Sequence, residues 1–306
     1  APPPISSSTE RLRAARAGRG RSTAMLFARH FRASLHVAQR IACSASSPVH
    51  RGKLAVAAGA ICTSAATHCS SSSSQPTTWT LQYFPVPGGP GEIVRVLLAL
   101  SGTAWTDERV PGTKWGALKP NTKYGQMPVL TSSDGRVLTQ SKAIARYLAK
   151  GAKVQGEPLY PEDSWLAYQV DEYVEALEDV RAKFGKTFGI KDPKEKEAAR
   201  AALFATDGTG EIYEGLKRIE GLVSPGGCMV GTSTTLADAW LFVLVNQFRA
   251  GWLDGVPADG WMDHLPKLQA VVAKVAAIPA LRAHYEKNAD MVVLGKKIHT
   301  VFLGHA

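Results

Sequence analysis

The sequence predicts a mixed α/β domain over residues 79–151 followed by an all-helical domain over residues 162–290. Three observations support this division: the order of strand and helix patterns in the first range, the helical spacing of apolar residues in the second, and the distinct composition of residues 1–78. A Gly- and Pro-containing linker joins the two domains. Residues 291–306 are assigned to a C-terminal tail.

Residues 1–78 are predicted to be a targeting leader and a Ser-rich linker. Ten of the 36 Lys and Arg residues lie here, against Glu10 as the single acid. From Met25 onward, apolar residues alternate with Arg and no acid occurs, which is typical of organellar transit peptides. We favour a mitochondrial address, with a plastid address or an uncleaved tail of a cytosolic protein as alternatives. The apolar run from Leu54 to Ala66 is too short to span a bilayer, so no transmembrane helix is expected.

Charge and cysteine content exclude several classes of function. The chain has a formal net charge of +10 and a pI near 9.5, but this excess comes from the leader, and residues 79–306 are almost neutral. The basic pI therefore does not predict a nucleic-acid partner. Beyond the leader only Cys228 occurs, so neither a disulfide framework nor a zinc site is expected. Phosphate-loop and dinucleotide motifs are also missing from the sequence.

The first domain contains strands and helices in a recognisable order. The predicted elements are the strand WTLQYF, the helix EIVRVLLALSG, the strand AWTDERV, the strands PVL and RVLT around a Ser133-Asp134-Gly135 turn, and the helix SKAIARYLAK. Alternating aromatic and β-branched residues mark the strands, and a Gly stop at Gly102 ends the first helix. The order βαβ followed by ββα is typical of a thioredoxin-like domain.

The second domain has helical periodicity throughout. Its first helix has an apolar stripe at three- and four-residue steps, formed by Leu166, Val170, Tyr173, Leu177, Val180 and Phe184. Further helices are predicted at about 195–222, 235–250, 266–277 and 279–288. Thr235 and Asp238 have the spacing of a capping box before an apolar run, which is a structural signature without a catalytic role.

Four segments together resemble a known family. They are LQYFPVPGGPGEIVRVLLALSG, KWGALKPNTKYGQMPVL, LTQSKAIARYLA and QVDEYVEALEDV. Their order is similar to that in cytosolic-type glutathione S-transferases, and most similar to the sigma class, which includes prostaglandin D synthase. The resemblance covers about residues 79–290. It implies a thioredoxin-like domain joined to an all-α domain, glutathione as co-substrate, and a homodimer or a subunit of a larger complex.

The resemblance implies roles for five residues at the ends of elements. The hydroxyl of Tyr83, at the end of the first strand, would donate to the glutathione sulfur and favour its thiolate form. The Met127–Pro128 bond would be cis, and the Met127 backbone would pair with the cysteinyl residue of glutathione. Gln140 and Ser141 open a helix, whose free N–H groups suit the γ-glutamyl carboxylate. Purely structural alternatives are a core tyrosine, a proline tolerated at a strand start and an N-cap serine.

Five further positions match the family's binding site. Trp115 and Lys119 would contact the glycyl end of glutathione, and Lys119 would pair with its carboxylate. Asp179 would reach across a dimer to the γ-glutamyl amine, or would simply be a solvated helix acid. Phe84 and Gln126 are assigned to the same binding site.

The loop after Tyr83 departs from the family pattern. It is one residue longer, and Pro90-Gly91 stand where the family carries an arginine and its neighbour. We therefore expect a positive charge beside the tyrosine to be missing. Farther along, Arg181, Lys183 and Lys186 either line the second-substrate pocket, which would then prefer anionic or polar electrophiles, or form a basic outer face of the helix.

The predicted function is conjugation of the glutathione thiolate to a hydrophobic or polar electrophile. The altered loop supports one alternative, a non-catalytic structural subunit of an organellar complex. Another alternative is a glutathione-dependent isomerase or peroxidase acting at the same site.

Overall fold

The computed structural model describes residues 77–257, 260–289, 292–293 and 296–303. The predicted leader and Ser-rich linker therefore lie outside the described residues, except for Thr77 and Thr78. Among the described residues, no helix combines the length and the apolar character needed to cross a membrane.

A four-stranded sheet forms the first domain, with the strand order β2-β1-β3-β4. The strands are β1 (Trp79–Tyr83), β2 (Trp105–Arg109), β3 (Val129–Ser132) and β4 (Val137–Thr139). The β1 strand pairs with β2 in parallel and with β3 in antiparallel orientation. Leu81 lies opposite Leu130 in that register, and both side chains are fully buried. The alternating burial of β1 agrees with the alternation of its sequence.

Three helices complete this domain: α1 (Glu92–Ser101), α2 (Gly112–Leu118) and α3 (Ser141–Gly151). The α1 helix ends at Gly102, which adopts φ +66° as the predicted glycine stop requires. The short helix α2 was not predicted from the sequence. It has no buried residue, so its sequence lacks the apolar periodicity that reveals a helix.

The linker and the second domain contain the remaining elements. The linker holds a small hairpin of β5 (Lys153–Val154) and β6 (Glu157–Pro158). Six helices follow: α4 (Ser164–Gly185), α5 (Pro193–Leu203), α6 (Glu211–Glu220), α7 (Leu236–Arg249), α8 (Pro266–Ala276) and α9 (Pro279–Lys287). The range predicted as a tail includes β7 (Val292–Val293), β8 (Lys296–Lys297) and α10 (Ile298–Leu303).

The prediction of a single helix at about 195–222 is wrong, because the structure has two helices there, α5 and α6. Between them Gly208 adopts φ +96°, a conformation that favours glycine. Gly210 approaches the backbone of Ala205 so closely that an added Cβ would collide with it. The break therefore depends on a tight turn that the apolar spacing does not reveal.

The α7 helix lies at the centre of the second domain and is buried along nearly its whole length. Its predicted capping box is confirmed. The Asp238 carboxylate accepts hydrogen bonds from the Thr235 N–H and hydroxyl, both at 2.8 Å, and from the Met229 N–H at 2.9 Å. The cap thus also anchors the preceding loop to the helix.

The last described helix, α10, packs against α9. The ring of Phe302 in α10 stacks on Tyr285 of α9 at 4.8 Å between ring centroids.

Candidate functional site

A cavity of about 480 Å³ opens between the first domain and α4. Its volume lies in the range of small-molecule sites. Seven of the predicted site residues line it: Phe84, Trp115, Gln126, Met127, Pro128, Gln140 and Ser141. The fold therefore brings predicted site residues from four separate segments of the chain to one cavity.

Met127 forms one wall of this cavity, directly before β3. The Met127–Pro128 bond is cis, which confirms the prediction. The backbone N–H and C=O of Met127 make no hydrogen bond to any residue that the structure describes. Because partly buried backbone groups normally have partners, this wall offers a donor and an acceptor to an extended peptide.

The N-terminus of α3 forms the adjoining wall. Gln140 precedes the helix with φ +69° and ψ 106°, a backbone conformation that a non-glycine residue rarely adopts. Its side-chain Nε2 donates to Gln126 Oε1 at 3.1 Å, which ties the two walls together. Within the described part of the chain, the Ser141 hydroxyl has no hydrogen-bond partner. The cavity thus faces a free hydroxyl and the positive end of a helix.

Trp115 and Lys119 lie on the side of the cavity formed by α2 and the turn after it. The rings of Trp115 and Phe84 pack edge to face at 5.7 Å between centroids. Lys119 is exposed and does not line the cavity itself. Its aliphatic chain lies beside Gly125, where an added Cβ would stand 3.5 Å from the Lys119 Cε. Lys119 is therefore a residue of the rim.

Tyr83 is buried, with 6% of its surface exposed. It lines neither this cavity nor a smaller cavity beside α7. The loop that follows it folds back over its ring. A Cβ on Gly91 would lie 2.8 Å from the Tyr83 Cβ and closer still to the ring carbons, and one on Gly89 would lie 2.8 Å from the hydroxyl. Glycine at these two positions therefore allows the loop to cover the tyrosine.

Two arginines act on the Tyr83 hydroxyl from outside the loop. Burial raises the pKa of Tyr83 above its usual value, whereas the charges of Arg95 and Arg181 and a hydrogen bond from the Gly91 backbone lower it. A tyrosine whose pKa lies above its usual value of 10.0 is protonated at neutral pH, as an ordinary tyrosine is, and the protonated phenol can donate a hydrogen bond. The loop lacks the expected arginine, but the expectation that positive charge is missing near Tyr83 is wrong.

Arg95 is fully buried and joins the end of β1 to α1 and β2, while its partner Glu92 also contacts the helical domain. It donates to Glu92 at 2.9 Å, to Asp107 at 3.1 Å and to the Phe84 carbonyl at 3.3 Å. Its guanidinium carbon lies 5.6 Å from the centroid of the Tyr83 ring. The Tyr285 hydroxyl of α9 donates to Glu92 at 2.9 Å. A buried charge with this many partners fixes the strand end that carries Tyr83.

The helical domain contributes Arg181 and Glu178 of α4 to the same cavity. Arg181 donates through Nε and Nη2 to Glu178 at 2.8 and 2.6 Å, and the Trp240 indole N–H donates to Glu178 at 3.0 Å. Lys183 and Lys186 line neither cavity. Of these three basic residues, therefore, only Arg181 lines the large cavity, as one of the two interpretations of the segment predicted.

A second, much smaller cavity lies between the loop after Tyr83 and α7. Its free volume of about 10 Å³ has room for about one water molecule. Gln247 lines it and accepts a hydrogen bond from the Gly89 N–H at 2.9 Å. This contact pins the loop to the helical domain. No sequence signal identified Gln247, because it lies in a buried stretch of α7 that has the pattern of a core helix.

Asp179 is exposed and lines neither cavity. It has no ionic partner among the described residues. Its assignment to the binding site required a second chain and stays a prediction. The described residues also contain no cluster of three or more His, Cys, Asp or Glu side chains that could hold a metal ion.

Comparison with known proteins gives a consistent result for both domains. Residues 91–150 match the family description "Glutathione S-transferase, N-terminal domain", and residues 178–288 match "Glutathione S-transferase, C-terminal domain". The chain is 34% identical over 203 residues to "Probable glutathione S-transferase 7" of Caenorhabditis elegans, covering 64% of this chain and 90% of the relative. It is 31% identical to "Hematopoietic prostaglandin D synthase" of Gallus gallus, over 69% of this chain and 96% of that protein.

A solved structure has the same fold. The structure of prostaglandin synthase D of Nilaparvata lugens aligns with a TM-score of 0.59 and 26% sequence identity. The alignment covers 69% of this chain and 98% of that structure.

Proposed function

Because the chain belongs to the glutathione S-transferase family, we propose that it conjugates the thiolate of glutathione to a hydrophobic or polar electrophile. Its thioredoxin-like domain and helical domain form the fold of that family, which uses glutathione as co-substrate. One observation carries the proposal: a cavity where the unpaired backbone of Met127 adjoins the free N-terminus of α3. These groups match the middle and one charged end of a small peptide.

Glutathione would bind in an extended conformation along these walls. The cysteinyl backbone would pair with the N–H and C=O of Met127, like one rung of an antiparallel ladder. The γ-glutamyl carboxylate would accept from the Ser141 hydroxyl and the first N–H groups of α3. The strained backbone of Gln140 supports this placement, because such strain costs about 1–3 kcal/mol and clusters at functional sites. Trp115 and Lys119 would hold the glycyl end.

The chemical step would take place beside Phe84 and Pro90, the two lining residues nearest to Tyr83 in the sequence. Tyr83 lies outside the cavity under its loop, so the loop would have to shift before the Tyr83 hydroxyl could donate a hydrogen bond to the sulfur and stabilise the thiolate over the thiol. Because the phenol is protonated at neutral pH, Tyr83 would act as a hydrogen-bond donor and would not serve as a base. The thiolate would then attack an electrophilic carbon and form a carbon–sulfur bond, while either a leaving group such as chloride departs with its bonding electrons or a π electron pair moves to a conjugated carbonyl oxygen.

We also propose a homodimer formed around α4, in which Asp179 serves the site of the second chain. Trp165 and Tyr168 support this surface, because they stack at 5.3 Å on α4 and are 63% and 51% exposed. Large apolar side chains that cluster at a surface typically mark an interface. The Arg-rich, acid-free segment from Met25 supports a mitochondrial address for the protein.

A binding and turnover experiment with the full chain tests the proposed function. Calorimetry should detect glutathione binding, and Ser141→Ala should weaken it about tenfold, as expected for a hydrogen bond to a charged group. Ser164→Ala is the matched control, since Ser164 is likewise the first residue of a helix but lies outside both cavities. Turnover of a chlorodinitrobenzene would establish conjugation. Binding without turnover would favour the non-catalytic subunit, and an absence of binding would refute the proposal.

A further inference from the structure

Arg181 lines both cavities and so stands where they meet. On one side is the polar cavity that we assign to glutathione. On the other side the small cavity has apolar walls, with Ile93, Trp240 and Leu244 among its lining residues. Because the small cavity has room for only about one water molecule, a second substrate would lie in the large cavity, where it meets the apolar Phe84 and Pro90 and the Arg181 guanidinium.

The Arg181 guanidinium is held in a fixed orientation with one nitrogen unused. Its Nε and Nη2 form a side-on pair with Glu178, and Trp240 in turn holds the Glu178 carboxylate. Its Nη1 has no hydrogen-bond partner in the part of the chain that the structure describes. The Arg181 side chain is 32% exposed and that of Glu178 is 15% exposed. The Arg181 guanidinium is therefore more accessible than the Glu178 carboxylate.

The charge around the large cavity also favours an anion at this point. Its charged lining side chains are Lys142, Arg181 and Glu178, two cations against one carboxylate. Lys142 is paired with Glu175 of α4, whereas Arg181 keeps a free nitrogen. A planar guanidinium matches the geometry of a carboxylate better than an ammonium group does.

We propose, on the premise of the glutathione conjugation proposed above, that Arg181 binds a carboxylate carried by the electrophile. The preferred second substrates would then be apolar electrophiles that bear a carboxylate away from the reacting carbon. Nη1 donates to this carboxylate, while the apolar body packs near Phe84 and Pro90 in the large cavity. Arg181 determines specificity in this scheme and takes no part in bond formation.

Ethacrynate and its methyl ester are a suitable pair of probes. Both contain the same α,β-unsaturated ketone, and they differ only in a remote carboxylate. In each, the glutathione sulfur bonds to the terminal alkene carbon, the alkene electron pair moves to the ketone oxygen, and a proton from solvent completes the adduct. The reaction needs no oxidant or reductant, so the ratio of the two kcat/KM values reports recognition of the carboxylate.

The full chain should favour the acid over the ester by about tenfold in kcat/KM, the size expected for one charge-assisted contact at a partly exposed site. Arg181→Met should abolish this preference, and Arg181→Lys should keep part of it. Lys183→Met is the matched control, because it removes a positive charge from the same helix, two residues away, without touching either cavity. It should keep the preference of the parent protein.

An acid-to-ester ratio that is equal in the parent protein and in Arg181→Met would overturn the proposal. A general fall in rate with both probes at an unchanged ratio would also overturn it, since Arg181 would then act only on the thiolate. If the parent protein turns over neither probe, turnover of the chlorodinitrobenzene decides the proposed function. Calorimetry with saturated, unreactive ethacrynate in the presence of glutathione then decides this inference. Weaker binding of this probe in Arg181→Met, with unchanged binding in Lys183→Met, would support the inference. Any other binding result would refute the inference.

Discussion

Replacing Gly91 with alanine should displace Tyr83 and slow conjugation about 100-fold, while glutathione binding stays near that of the parent protein. An added Cβ would lie 2.8 Å from the Tyr83 Cβ and still closer to two ring carbons. Because carbon atoms normally pack at about 3.5–4.0 Å, the ring or the loop must move by about 1 Å or more. A misplacement of about 1 Å at a reacting group costs roughly 100-fold in rate.

The same substitution should lower the free energy of unfolding by about 1–3 kcal/mol, the usual cost of overpacking a closely packed site. Part of this loss would come from the start of α1, where Gly91 is the N-cap residue and alanine is a poorer cap. Glutathione affinity should change little, because Met127 and Ser141 lie on other segments of the chain. The mutation therefore separates turnover from binding.

Steady-state conjugation, calorimetry with glutathione and urea denaturation measure the three quantities. Gly185→Ala is the control, since Gly185 ends α4 and an added Cβ there would meet no atom within 4 Å. It should be neutral or stabilising by about 0.4–1 kcal/mol. If Gly91→Ala matched Gly185→Ala in turnover and stability, the loop would not lie on Tyr83 and the reasoning would be refuted.

Tyr83→Phe should reduce conjugation by about 100-fold or less with unchanged glutathione affinity, and unchanged turnover would mean that another group stabilises the thiolate. Asp179→Ala should weaken glutathione binding without unfolding the protein, because Asp179 would serve the site of the second chain. Light scattering of the parent chain at micromolar concentration should show a dimer, and a monomer would contradict both expectations. Residues 25–74 fused to a fluorescent reporter should direct it to mitochondria, and the mature protein should begin near residues 70–78, whereas a cytosolic reporter would argue against import. Burial lowers the pKa of His284, so below about pH 6.5 the unfolded chain binds a proton more readily than the folded chain. Stability should therefore fall with pH below that value, and His284→Gln, compared by denaturation at two pH values, should reduce the fall.

Residues at the ends of elements were predictable because each has a local signal. A proline before an apolar run predicted the Met127–Pro128 corner, and a polar pair before a helix pattern predicted the mouth of α3. These residues line the cavity because the fold brings strand starts and helix starts to one edge of the sheet. The apolar stripe of α4 likewise predicted burial of Val170, Leu177 and Phe184, which the structure confirms, but Leu166 at the start of the stripe is 37% exposed.

Features that depend on distant contacts had no such signal. The α2 helix buries no residue, and the break between α5 and α6 depends on one glycine packed against a backbone. Whether Arg181 faces inward or outward is decided by Glu178 and by Trp240 of another helix. The closure of the loop over Tyr83 depends on Gln247, which lies 158 residues from its partner Gly89.

The contacts of the loop and of Arg95 show that the helical domain helps to shape the site of the thioredoxin-like domain. Gln247 of α7 holds the loop at Gly89, and Tyr285 of α9 supplies a hydrogen bond to the Glu92 carboxylate that pairs with Arg95. Removing either partner would leave a loop unpinned or a buried carboxylate short of a donor, and the latter typically costs about 1–3 kcal/mol. The position of Tyr83 under its loop is therefore a property of both domains together. The α3 wall is tied to the helical domain as well, because Lys142 and Arg146 of α3 pair with Glu175 of α4.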